Sequence, residues 1–188
     1  MKYGSWLVVI LLLLPISAFA FFRPVRALIP EAFGVRCNEQ NLCIDDFSQL
    51  AVAESLLDDS KSYLATQWGL SIGEPKIIFC STEQCRSAFG LSNKAGFTLG
   101  SFAIVIAPRG WRQHYVAHEL IHHWQADRFG SLALLTGEQW LIEGMAYALS
   151  NDPRVALHEP FESYRQWFND WYRLNADIPL KESLGGVL

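Results

Sequence analysis

The stretch that most restricts how this chain can fold is His118-Glu119-Leu120-Ile121-His122. Histidines four positions apart stand one turn above each other on an α-helix, so both imidazoles reach the same point in front of one helix face. A divalent metal suits that pair, and Zn²⁺ best, because zinc takes imidazole nitrogen at about 2.0–2.1 Å. The intervening glutamate would then lie beside a water on the ion. A catalytic zinc typically has three protein ligands and leaves its fourth position to water. A third ligand is still needed, so a second element must cross the first helix. The bland alternative is a chance H-E-x-x-H on an amphipathic helix, with half-buried histidines and a solvated glutamate.

Spacing tests where the third ligand lies. The metzincin pattern H-E-x-x-H-x-x-G-x-x-H requires glycine at position 125 and histidine at position 128, and the chain has Gln125 and Arg128. Downstream comes Trp140-Leu141-Ile142-Glu143-Gly144-Met145-Ala146, a glutamate on a second apolar helical stretch, with twenty residues between His122 and Glu143. That interval allows a helical hairpin. The first helix runs to about Phe129, Gly130 ends it, and after a short connection the second helix returns with Glu143 opposite the histidines. His114 and His123 read as structural or orienting residues; His123 points about 100° away from His122 around the helix.

With both motifs in view, the chain resembles the zinc-binding core of the gluzincin metallopeptidases, in particular small peptidase MA-like domains whose second helix reads W-x-x-E-G-x-A. The resemblance covers roughly residues 76–150. It implies one zinc per chain on His118, His122 and Glu143, with Glu119 as general base, and a hydrolase acting on a peptide or protein substrate. The chain departs from the thermolysin branch, having Ile142 before Glu143 and Tyr147 where an orienting aspartate would stand. Gluzincins also hold the oxyanion with a Tyr or His; His158, Tyr164 and Tyr172 follow the third ligand, and no motif selects among them. A reading from another class is a peptidase-like cell-envelope binding or assembly module that keeps zinc for stability. Against it, structural zinc sites are usually closed by four protein ligands, and Glu119 has no part in one.

The start of the chain bears on compartment. Met1-Lys2, an apolar run from Trp6 to Leu14, Pro15 and Ala18-Phe19-Ala20 have the layout of a signal peptide cut after Ala20. An uncleaved anchor is the rival, since Trp6 to Phe22 gives roughly 17 residues, about enough to span a bilayer once. Either way residues 21–188 are expected outside the cytoplasm, periplasmic, secreted or membrane-anchored, and membrane association through the apolar segment stays open. In an oxidising compartment Cys37, Cys43, Cys80 and Cys85 read as disulfides; of the three connectivities, the local pairs 37–43 and 80–85 are expected as clasps on loops. Without residues 1–20 there remain 14 basic against 19 acidic residues and no basic run, which excludes nucleic acid as an expected partner. About 168 residues suffice for one domain with a real core.

The expected fold is α+β: a small mixed or antiparallel sheet packed on the H-E-x-x-H helix, a second ligand-bearing helix, and an aromatic-rich helix at the C-terminal end. Residues 21–44 show no clear period and read as an extended arm held by the first disulfide. From Asp46 the pattern is helical, with Asp45 or Asp46 as cap and Phe47, Leu50, Ala53, Leu57, Leu64 and Trp68 as the apolar stripe up to Gly69. Lys76 to Phe79 reads as a strand, Gly90 to Gly100 as a turn region, and Phe102 to Ala107 as the strongest strand. That last strand is either a plain core strand or the sheet edge beside the metal, where an extended peptide could add. Asn151-Asp152-Pro153 stops the second helix, and Pro160 opens the aromatic one from Phe161 to about Leu174.

Overall fold

A computed structural model describes residues 22–184, the side chain of Lys181 apart. The signal-peptide expectation for residues 1–20 lies outside the described residues. The fold is mixed α+β: a five-stranded mixed sheet with α-helices on one face and short turns of helix on the other.

The strands are β1 (Arg36–Cys37), β2 (Leu42–Ile44), β3 (Lys76–Phe79), β4 (Gly96–Leu99) and β5 (Ala103–Ile106), in the order β1-β2-β3-β5-β4. β2, β3 and β5 run parallel, while β1 and β4 are antiparallel to their neighbours at the two edges. Both sheet faces are covered, so the inner strands are continuous apolar runs without alternation. The pleat divides them nonetheless. Ile104 pairs with Ile77 and Ile106 with Phe79, and these four join Leu42 and Ile44 in the larger core under the main helices. Ile78, Ala103 and Val105 face the other way, into a smaller core with Ala27, Val35, Phe89 and Leu91.

The helices are α1 (Leu50–Trp68), α2 (Glu83–Ala88), α3 (Gln113–Phe129), α4 (Ala133–Thr136), α5 (Gln139–Leu149), α6 (Phe161–Leu174) and α7 (Leu180–Ser183). α1 buries Ala53, Leu57 and Leu64 as its stripe predicts. Phe47 is the exception: it lies in a 3-10 turn ahead of the helix, and its exposed ring carries the Arg36 guanidinium at 4.4 Å. Asp46 caps that turn by accepting from Ser48 N at 3.0 Å. Asp45 has another task. Its carboxylate accepts from the backbone N–H and hydroxyl of both Ser81 and Thr82, at 2.5–3.0 Å, and so fastens the end of β3 and the start of α2.

Two expectations need correcting, and one open alternative is decided. Residues 22–44 are not an arm: two 3-10 turns, Arg23–Leu28 and Pro30–Phe33, lead into β1 and β2, which belong to the sheet. β5 is an interior strand, buried throughout, so the edge role falls to β4, inside the stretch that reads as turns. The disulfides pair as expected, 37–43 and 80–85, but neither joins loop to loop. Cys37 and Cys43 are opposite one another in the β1–β2 ladder, and Cys80 at the end of β3 is tied to Cys85 in α2. Two disulfides suit an oxidising environment. No described helix is long and apolar enough to cross a membrane.

Candidate metal centre

α3 is the central helix. It is wedged between the sheet, α1 and α5, and buries Val116, Ala117, Leu120, Ile121 and Trp124 together with Glu119, His122 and Gln125. A helix apolar around most of its girth belongs in the interior. Polar groups on it must therefore be satisfied by specific partners. Gly130, at φ +90°, ends α3 in a conformation that favours glycine. After the single turn of α4, α5 comes back across α3. α6 in turn covers α5, crossing so closely at Gly144 that an added Cβ would overlap the Tyr164 carbonyl.

This hairpin brings Glu143 to the two histidines. The Nε2 atoms of His118 and His122 are 3.1 Å apart, and Glu143 Oε2 lies 3.6 Å from the first and 3.7 Å from the second. An ion holding two donors at about 2.1 Å and a tetrahedral angle sets them roughly 3.4 Å apart. The observed triangle brackets that value, and these three residues can hold a metal ion. Burial works against charge on His122, but its contacts with the Glu143 carboxylate prevail and raise its pKa to about 9. Burial likewise pushes Glu143 up, and the two imidazoles outweigh it, holding the carboxyl well below the usual range.

The partner that orients His122 is Gln125, fully buried one turn on. Its amide can be assigned from its neighbours. Gln125 Nε2 faces the Ile142 carbonyl at 3.1 Å, so it donates there and its Oε1 must face His122 Nδ1, at 2.9 Å. An amide oxygen only accepts, so Nδ1 keeps its proton, and the neutral ring that would ligate a metal turns the Nε2 lone pair towards the ligand triangle. The residue that breaks the metzincin spacing thus sets a ligand's tautomer and ties α3 to α5. His118 is steered differently. The Tyr147 ring, one turn after Glu143, packs on its imidazole with centroids 4.5 Å apart. Burial and the nearby Glu143 charge push the Tyr147 phenol up to about 12, so it stays a neutral donor.

Glu119 is close by but is not one of the three. Its side chain is cradled by β4: Thr98 Oγ1 lies 2.8 Å from Glu119 Oε2 and 3.0 Å from Glu119 O. Gly96 supplies the space, since a Cβ there would come within 2.9 Å of Glu119 Cγ and 3.0 Å of Oε1. All four motif residues open onto one cleft of about 570 Å³, whose walls include Gly96 and Thr98 of β4, Leu134 and Leu135 of α4, Tyr147, and Phe161 of α6.

His158, Tyr164 and Tyr172, the residues from which an oxyanion partner was expected, do not line this cleft. Tyr164 meets Phe161 edge-on and Trp167 at a tilt, Tyr172 packs on Trp68 and Phe168, and His158 is exposed. The polar groups that do face it near the ligands are Tyr115, Tyr147 and Arg154. His114 and His123 are outside the ligand set, and burial holds both below the usual histidine range. α6 is chiefly cover for α5, through Phe168, Trp171 and Tyr172, with Phe161 alone reaching the cleft.

No protein family, curated protein or solved structure matches the chain. The geometry of the site therefore carries the functional reading.

Proposed function

We propose that the protein is an exported zinc-dependent metallopeptidase of the gluzincin type. The observation that carries this reading is Glu119: a carboxylate with no place among the metal-binding residues, held by Thr98 and Gly96 in the same cleft as His118, His122 and Glu143. A purely structural site has no use for such a group. When bound to those three residues, zinc supplies a Lewis acid that polarises the scissile carbonyl and lowers the pKa of water to about 7.

The remaining work is the chain's own. Glu119 accepts the proton of the attacking water and delivers it to the leaving amine. Thr98 suits both states of Glu119. With the carboxylate ionised, the hydroxyl donates to Oε2; with Oε2 protonated, it accepts from that proton and turns its own hydrogen to the Glu119 carbonyl 3.0 Å away. His122 keeps its tautomer through Gln125. Tyr147, neutral and beside His118, is the group best placed to donate to an oxyanion, with Arg154 behind it. β4, an antiparallel edge strand among the described residues, offers main-chain groups to an extended peptide.

The test is a digest of a broad peptide library by purified protein, by chelator-treated protein and by treated protein given zinc again. The expected result is cleavage that disappears with the metal and returns with it. A protein that carries stoichiometric zinc and cuts nothing would favour the envelope-module reading.

A further inference from the structure

The two ends of the cleft differ in character. At the Leu99 end of β4, Ser131 beside α4 contacts the β4–β5 turn at Ser101, so Leu134 and Leu135 of α4, with Ile142, make that end apolar. At the Gly96 end the lining changes to Lys94, Arg109 and Arg154. The only acids among the described lining residues are Glu119 and Glu143, both within the metal centre. Three cations lining the cleft run against the chain as a whole, in which 19 acids outnumber 15 basic residues.

Two of these cations are held in place. Arg109 Nη1 donates to the Asn93 carbonyl at 2.6 Å, which keeps its guanidinium next to Lys94. Arg154 forks onto Asp152, with Nε 2.8 Å from Oδ1, and lies over the rings of Tyr115 and Tyr147 at 5.6 and 5.7 Å. Its loop is fixed from behind, where Arg165 of α6 donates to the Arg154 and Val155 carbonyls. The Asp152 side chain is only 2% exposed whereas that of Arg154 is 41% exposed, so the acid anchors the arginine from inside and the fork's outer side meets the cleft. A guanidinium whose rotamer is already fixed loses little entropy on pairing with a planar anion.

We propose that the Gly96 end of the cleft is a carboxylate-binding subsite, which selects peptides that place a carboxylate near the scissile bond. The carboxylate comes either from an Asp or Glu side chain near the scissile bond or from a free C-terminus. This rests on the peptidase reading, and its test is chosen so that the two can fail separately.

Zinc-loaded Glu119→Gln protein, which is not expected to cut, is titrated by fluorescence anisotropy against N-terminally labelled peptides of one sequence in four forms. These carry Glu or Gln at one position and a free or amidated C-terminus. Peptides bearing the recognised carboxylate are expected to bind at least about fivefold tighter, an advantage that shrinks as salt rises. Arg109→Gln combined with Lys94→Gln should remove it, and these exposed sites leave the core untouched. Whichever form gains identifies the carboxylate's source. Equal binding of all four forms, or binding of none, overturns the subsite. Hydrolysis by wild type with no carboxylate preference overturns the subsite and leaves the peptidase reading intact, whereas carboxylate-dependent binding with no hydrolysis does the reverse.

Discussion

Replacing Gln125 separates the orientation of a ligand from the stability of the fold. Gln125→Leu keeps the volume but removes both bonds, leaving His122 Nδ1 unpaired in the interior and the Ile142 carbonyl with its intrahelical bond alone. A buried orphan costs about 1–3 kcal/mol, so metal-free protein should lose roughly that much in urea denaturation. Zinc affinity should fall as well. Loss of the partner that orients a ligating histidine typically weakens metal binding about 10–100-fold, or about 1.4–2.7 kcal/mol. Gln125→Glu provides the contrast, because its carboxylate still accepts from Nδ1–H but cannot donate to Ile142. Stability should drop while zinc affinity stays near wild type. Competition against a chromophoric chelator measures the affinity. If Gln125→Leu folds and binds zinc within about twofold of wild type, Gln125 does not set the His122 tautomer and the orientation argument fails.

Two further outcomes follow from particular contacts. Gly96→Ala drives a Cβ against Glu119 and the Val105 carbonyl, so hydrolysis should fall at unchanged zinc content, read by library digestion alongside elemental analysis. Burial pushes Asp45 up, but hydrogen bonds from Thr82 and Ser81 prevail and lower its pKa. The stability it contributes is therefore present above the unfolded value of about 3.9 and lost as pH falls through the lower folded value. Denaturation of wild type and Asp45→Asn should show a gap at about pH 6 that narrows at about pH 2.5.

What the sequence discloses depends on how local each feature is. His118, Glu119 and His122 are legible because helix periodicity alone brings them together, and Glu143 because Gly130 and the apolar run from Trp140 require the chain to double back. Gln125 is not legible: its role exists only because α5 places the Ile142 carbonyl against it, seventeen residues on. β4 is hidden for a similar reason. Gly96-Phe97-Thr98-Leu99 has a glycine where Glu119 needs room, and its strand state comes from the register with β5 rather than from its own composition. β2 spans only Leu42–Ile44, too short for an alternation to register, and is fixed by β3 on one side and the cross-strand disulfide on the other. The aromatic helix is recognised by its spacing, but that spacing leaves open which ring reaches the cleft; the close crossing at Gly144 turns Tyr164 to α5 and lets Phe161 face the opening.

The central claim turns on Glu119. Glutamine has nearly its shape and can keep the bond to Thr98 but cannot take up a proton, so Glu119→Gln isolates the proton transfer from the scaffold. The decisive measurement is the rate of peptide hydrolysis by Glu119→Gln relative to wild type at matched zinc occupancy. A peptidase predicts equal zinc and a rate lower by at least ~10²-fold, the scale of a lost general base. Wild type cutting no faster than Glu119→Gln, with both proteins fully loaded, would contradict the account.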